Sequence, residues 1–490
     1  MMGIWSAGLA TLLLSAASAV TAQAAEPPLV SRAATEERLK TIGPFVDGIM
    51  AQQLASREVA GAVVTVVHRG KTVLSRGFGM ADVDGAIPVD AEQTLFRPGS
   101  VSKLITWVAL MQQVERGRVD LDADVNSYLD FVIPPFDGKP ISVRDLMSHS
   151  PGFSDVPGII TRDPAKLEPF TDWMKSHVPD RHWPAGTEIA YSNYGAALAG
   201  TIVAQASGEP FADYVERHIF TPLGMASTTF REPLPPALAP RMALGYELEQ
   251  GRFVAQPPEL ISAIMPAGSA TSSGPDMARF MNALLEEGRI GGQRILQPSS
   301  VRLLTSDALA NTPNLPGMAH GFIVYRTAGP RLVGHGGNTG DFHSILILAP
   351  EARLGIFISM TGGNGSYAGR TELADALVGR LFPDRPAVRI AAAQGEDVPT
   401  GTFRMNRRDF TVPPRPGQDL SVARAGDNAL TLTSDGKPSH WERIGPGLYE
   451  KVTGTRPAGP FDRLQIHGAT GAWRLSIGSQ PHILYHQVSP

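Results

Sequence analysis

Apolar and polar positions change period several times along the chain, and each change marks an element. Residues 34 to 57 read as helical. The stretch "GAVVTVVHRGKTVLSRGFG", residues 61 to 79, alternates apolar and polar side chains around Arg69-Gly70-Lys71, the signature of a β-hairpin. From about residue 100 to 310 helical spacing dominates, broken by loops. Strand patterns return at "GFIVYR", "RLVGHGG", "FHSILILAP" and "RLGIFISM", followed by a helix from about Tyr367 to Leu381. The late strands lie close together in sequence, which favours antiparallel pairing. Joined with the early hairpin they make one sheet, with the helices inserted between. The class is therefore α+β: an antiparallel sheet flanked by helices.

Beyond Phe382 the pattern changes again. "FPDRPAVRIAAAQGEDVPTG" is rich in Pro and Ala and reads as a linker, placed at residues 386–400. After it come "GTFRMN", "DFTVP", "NALTLTSDG", "GLYEKV", "DRLQIHG", "AWRLSIG" and "HILYHQV", short strands parted by Gly, Asp-Gly and Pro turns. Residues 401–490 are expected to form a small all-β barrel or sandwich. At the other end, an apolar run from Ile4 to Val20 leads into "AQAA", a signal-peptide pattern with cleavage near Ala24 or Ala25. Its first residues lack Lys and Arg, so an uncleaved anchor is the alternative, although the run is short for a full span. The expected organisation is a signal peptide at 1–25, a main domain at 26–385, the linker, and the β-domain. The expected location is periplasmic or secreted, with no stable membrane span after cleavage.

Composition narrows the function classes. A chain of 490 residues is long enough for two or three domains, and 42% hydrophobic with 18% charged residues is a globular balance. The formal net charge of −4, without a basic run, excludes a nucleic-acid-binding surface. There is no cysteine, hence no disulfide, thiolate nucleophile or Cys-based metal site. No His-Glu-x-x-His pattern occurs, so no metal and no cofactor is expected. "RGKTV" lacks the upstream glycine of a phosphate loop, and no Gly-x-Ser-x-Gly elbow is present.

The chemistry lies in "LFRPGSVSKLITWVALMQQVERG", residues 95 to 117. Val101, Leu104, Ile105, Val108 and Met111 follow helical spacing, and Gly117 suits the stop. Ser100 and Lys103 sit three apart near the start of this core helix, so amine and hydroxyl can meet. Burial and the positive end of the helix both disfavour a charged lysine, and a neutral amine can accept the serine's proton. By itself the spacing is weak: Ser434 and Lys437 share it in a hairpin turn, and Ser100 could simply cap the helix. Two further stretches add weight. "YSNYG" sets Tyr191 and Asn193 on one wall of an extended segment before a helix starting near Ala196. "GHGGNTG", residues 334 to 340, ends a strand with glycines that let a ligand approach the backbone.

In the order Ser-x-x-Lys, Tyr-x-Asn, His-x-Gly, these stretches resemble the signatures of the serine β-lactamase and penicillin-recognising family. The resemblance covers about residues 35 to 382. It is greatest to the branch holding class C β-lactamases, D-alanyl-D-alanine carboxypeptidases, D-aminopeptidases and related esterases. It implies Ser100 as the nucleophile that forms an acyl-enzyme, and Lys103 and Tyr191 as the pair that moves its proton, with the choice of base open. It implies Asn193 as a substrate contact that steadies the lysine. His335, Gly336 and Gly337 become the strand edge along the substrate, and the N–H groups of Ser100 and Asn338 the oxyanion hole.

The pattern departs from most β-lactamases at His335, where they carry lysine; a largely neutral imidazole is a weaker carboxylate anchor. Asp341 is either a turn residue or a support for His335, and His149 is expected to be structural. The β-domain shapes the mouth of the cleft or only packs. The expected function is an exported serine hydrolase cleaving esters or amides, including small substrates with D-amino acids. The alternatives are a class C-like β-lactamase and a non-hydrolytic binder of cell-wall fragments. The expected partner is a small-molecule or short-peptide substrate.

Overall fold

The computed structural model describes residues 31–326, 329–383, 388–390, 399–452, 463–469 and 471–489. The expected signal peptide lies outside them, as does most of the expected linker. Two short helices, Arg32–Leu39 and Ile42–Ala55, stand where one helical stretch is expected. The hairpin follows, Gly61–His68 against Lys71–Asp82, and its first strand pairs with Leu354–Thr361 near the end of the domain. The antiparallel sheet has nine strands. From one edge they run Asp307–Leu309, Met318–Ala319, Ile323–Arg326, Leu332–Asn338, Phe342–Ala349, Leu354–Thr361, Gly61–His68, Lys71–Asp82 and Ile87–Pro88.

The central strands are buried on both faces, which is why they read as unbroken apolar runs. Val63, Val67, Leu346 and Leu348 join a core shared with the helices Ser102–Glu115, Asn193–Ser207 and Gly274–Leu285. Their neighbours Val64, Val66, Ile345 and Ile347 join a second core beneath Ile42–Ala55 and Asn364–Leu381. A period-two pattern with both phases apolar requires cover on both sides. Among the described residues no helix is long and apolar enough to cross a membrane.

The C-terminal unit is a closed eight-stranded antiparallel barrel, Gly401–Met405 through Tyr485–Ser489, with its own core around Phe403, Leu464, Leu475 and Tyr485. Two expectations need correction. "DFTVP" is a loop, because Pro413, Pro414 and Pro416 remove the donors a ladder needs. Two strands went unread in the sequence, Asp419–Arg424 and Lys437–Gly445, whose alternation is carried by few apolar residues. The loop that replaces "DFTVP" turns toward the main domain.

Candidate active site

A short strand, Leu95–Phe96, anchored to Ser272–Ser273, delivers the chain to Pro98-Gly99-Ser100. Gly99 turns there with φ of +53°, a conformation that favours glycine. The Gly99–Val101 turn then runs into the helix Ser102–Glu115, whose residues from Ser102 to Gln113 are all buried. A helix enclosed on every side has no solvent face for a lysine, and Lys103 is 0% exposed.

Its amine is held by three contacts. Nζ lies 3.0 Å from Ser100 Oγ, 2.9 Å from Asn193 Oδ1 and 2.6 Å from the Ala267 carbonyl. The amide oxygen and the carbonyl can only accept. A neutral amine has two N–H groups for them and one lone pair left for the serine proton. Burial, and after it the positive charge of Arg407, holds Lys103 well below the usual lysine range.

Tyr191 completes the cluster, with Lys103 Nζ 4.9 Å from its ring centre. Burial pushes its phenol well above the ordinary tyrosine value. Ser100 is near enough to favour its ionisation, yet no hydrogen bond of standard geometry joins the hydroxyls. Asn193 opens the helix Asn193–Ser207, three residues before the expected start. Ser192 caps it by accepting from the Gly195 amide at 2.9 Å.

On the opposite wall the strand Leu332–Asn338 crosses the Ser100 turn. A Cβ on Gly337 would fall 1.9 Å from the Pro98 carbonyl oxygen and 3.0 Å from the Ser100 nitrogen. Only glycine permits this approach, and it brings the backbone at Asn338 beside that of Ser100. Gly337→Ala is therefore expected to push the strand edge off the turn. The expected loss in kcat is about 10²-fold or more, the usual consequence of displacing one oxyanion donor. Activity within threefold of the parent would contradict the placement.

His335 is not a cation. It is buried, its Nδ1 donates to the Gly336 carbonyl at 2.5 Å, and its Nε2 has no partner among the described residues. Burial, with Lys103 adding to it, lowers its pKa to about 3. Asp341 does not support it: that carboxylate pairs with Arg162 at 2.7 and 2.9 Å. His149 holds the tyrosine segment. Its Nδ1 accepts from the Ser192 amide at 3.1 Å, its carbonyl accepts from Ala190 at 2.9 Å, and its ring stacks on Tyr191 at 4.4 Å.

His149 and His335 are buried and His482 is half-buried, and all three are held below the ordinary value of 6.5 by burial first. Unfolding frees them to take up protons, so the unfolded chain binds more protons below pH 6.5. Stability contributed by their neutral burial is complete above 6.5 and is lost as pH falls, for His335 down to about 3. The urea midpoint is thus expected to be lower at about pH 4.5 than at pH 7; an equal or higher midpoint would contradict this.

The sequence brought Ser100, Lys103, Tyr191, Asn193, His335, Gly336, Gly337 and Asn338 forward, and the fold gathers all of them. Ser100, Tyr191, Asn193, His335, Gly336 and Asn338 line one cavity of about 530 Å³. The sequence did not point to Arg370, or to Arg407, Gln480 and His482 from the barrel, which line the same cavity. A cation embedded in a helix with no acidic residue three or four positions away was the available signal for Arg370; none marked the barrel residues. Among the described residues no cluster of His, Asp and Glu is arranged to hold a metal ion.

Comparison with known proteins identifies the family and the fold. A family model described as Beta-lactamase matches residues 46–380. Protein Rv1367c of Mycobacterium tuberculosis is 29% identical over 370 residues, covering 68% of this chain and 88% of that protein. Protein flp of Staphylococcus aureus is 25% identical over 319 residues, covering 64% of this chain; the match spans 62% of that relative's own length. Among solved structures, SurE superposes with a TM-score of 0.64 at 21% identity, covering 93% of this chain and all of the other. SurE solved with D-Leu gives 0.63 at 19%, covering 94% of this chain and all of the other. At that identity the structural likeness speaks for the fold.

Proposed function

Because this chain belongs to the β-lactamase family over residues 46–380, we propose that it cleaves ester or amide bonds through an acyl-enzyme on Ser100. The observation that carries the reading is the amine of Lys103, buried, with two fixed acceptors and its remaining contact on the Ser100 hydroxyl. In the proposed step the Ser100 proton moves to Lys103 while Oγ bonds the substrate carbonyl carbon. The oxyanion forms against the N–H groups of Ser100 and Asn338. Tyr191 stays protonated in the resting site and is suited to hand its proton to the leaving group while taking the one held on Lys103, so that both return to their resting forms. Collapse of the tetrahedral species expels that group, and water then releases the acid.

The same reading extends to the substrate. The cavity lining contains two arginines and no aspartate or glutamate. Arg370 is 5% exposed, donates from Nη1 to the Ser344 carbonyl at 2.9 Å and from Nη2 to Thr371 Oγ1 at 3.2 Å, and leaves Nε without a partner. A buried guanidinium that faces a ligand cavity favours a carboxylate. With His335 neutral, Arg370 is the candidate anchor, and a short peptide or ester with a free acidic end is the favoured substrate. The likeness to SurE solved with D-Leu makes D-residues the first to try.

A panel of D-alanyl peptides with free and amidated C-termini tests this. The free acids are expected to show at least about tenfold higher kcat/KM, the size of one charge-assisted contact. Equal rates would count against the anchor, and no turnover of any peptide or p-nitrophenyl ester would count against the hydrolase. Export, expected from residues 1–25, remains part of the proposal. N-terminal sequencing of the mature protein from a secreting host tests it, and an intact Met1 would oppose it.

A further inference from the structure

The barrel grips the segment that carries Tyr191. Asn406 donates from Nδ2 to the Ile189 carbonyl at 3.0 Å, bridging 217 positions of sequence. The Tyr191 amide donates to the His482 carbonyl at 3.0 Å, and the Asp155 amide to the Arg408 carbonyl at 2.9 Å. Between these ties Arg407 reaches inward. Its guanidinium carbon lies 4.6 Å from the centre of the Tyr191 ring, and Lys103 Nζ lies 4.9 Å from the same point. Its ion-pair partner is Asp155, with Nε 3.4 Å from Oδ2, and that N–H makes no hydrogen bond of standard geometry.

We propose that Arg407 of the barrel is a positioning residue for acylation, its guanidinium fixing the Tyr191 ring and setting a permanent positive charge around the same ring as the Lys103 amine. The inference rests on the reading of Ser100 as nucleophile and Lys103 as base. A guanidinium over an aromatic face is attracted by the ring's quadrupole, which orients the phenol. A fixed cation near an amine opposes its protonation, which keeps the lone pair free for the serine.

The other groups around Lys103 do not supply that charge. Ser100 comes from the turn before Ser102–Glu115, and Tyr191 and Asn193 from the segment that opens Asn193–Ser207. His149 comes from the loop after Val143–Met147, His335 from the strand edge, and His482 from the barrel. His149 and His335 are buried, His482 is half-buried, and desolvation holds all three toward their neutral forms. Asp155 acts in the opposite direction to Arg407, favouring the ammonium form. A barrel that merely packed would have no reason to place a cation here, and removing the cation would then act alike at every pH.

The test is the rate of Ser100 labelling by a fluorophosphonate as a function of pH, in the full chain and in Arg407→Gln, Arg407→Lys and Asp155→Asn. In each, Oγ bonds phosphorus, fluoride leaves, and the serine proton passes to Lys103. For Arg407→Gln the acid limb is expected to move up by about half a pH unit or more, roughly a threefold loss at fixed pH on that limb. The rate should return near the parent's at high pH. Arg407→Lys should keep the parent profile within a few tenths of a unit. Asp155→Asn should move the limb down.

A uniform loss at all pH in Arg407→Gln, or an unmoved limb, would overturn the inference while leaving the hydrolase reading intact. Failure to label wild-type Ser100 would overturn both. If Arg407→Gln does not fold by circular dichroism, Asp155→Asn decides alone: a limb that stays or rises would overturn the proposal.

Discussion

Replacing Ser100 with alanine is expected to remove turnover almost completely, by on the order of 10⁴-fold or more in kcat, the scale seen when a nucleophile is deleted. The loss is large because the rest of the site has nothing to substitute. The oxyanion donors and the cavity would still bind substrate, so a small residual rate over water should persist. The fold should not suffer in proportion. Ser100 is half-buried in a turn whose shape comes from Gly99 and the backbone, and its side chain is bonded by Lys103 alone among the described residues. A melting temperature within a few degrees of the parent, with turnover gone, is the expected pair of results. Turnover within tenfold of the parent would mean that the reacting group lies elsewhere.

Lys103→Met is the second large effect, and it separates the two candidates for the base. Methionine nearly fills the buried volume of lysine without an amine, and it suits an enclosed helix. The Asn193 amide oxygen and the Ala267 carbonyl lose their donor, a cost of about 1–3 kcal/mol for each buried group left unpaired. The variant also no longer buries an ionisable amine, which offsets part of that cost. The protein should therefore fold, with kcat/KM lower by roughly 10²- to 10⁴-fold, the usual contribution of a positioned base.

The pH profile carries the sharper prediction. In the parent, activity is expected to rise as the amine loses its proton. Because Lys103 is held well below 10.5, that rise falls at lower pH than a free lysine would allow. In Lys103→Met the limb should vanish rather than move. Tyr191→Phe should keep the limb and lose less. A variant at 103 that retained the parent's limb would hand the base's role to Tyr191, against the upward displacement of that phenol by burial.

What the sequence shows of this molecule follows from the range over which each signal acts. The Gly61–His68 hairpin and the strands up to Thr361 are legible because burial on both faces leaves continuous apolar runs. The Ser-x-x-Lys pair is legible because three residues on one helix must be neighbours. Tyr191, Asn193 and the His335–Asn338 edge are legible through the resemblance, since no spacing rule brings residues 100, 191 and 335 together. Asp341 eluded the reading because its partner, Arg162, comes from a distant loop. The barrel's part in the site was least visible. Arg407 and His482 sit in loops whose local sequence is ordinary, and only the docking of that unit on Ile189–Tyr191 gives them neighbours. Two polar strands of the barrel went unread for a related reason: Lys437–Gly445 buries Trp441, Arg443 and Gly445 in turn, and of these only the tryptophan is a large apolar residue.

The proposed acylation depends on a reactive hydroxyl activated by a neutral buried amine. The most direct measurement is peptide mass spectrometry after reaction with a fluorophosphonate at neutral pH. It should show one stoichiometric adduct on Ser100, absent in Ser100→Ala and strongly slowed in Lys103→Met. An adduct on another residue, or none in the folded parent, would contradict it.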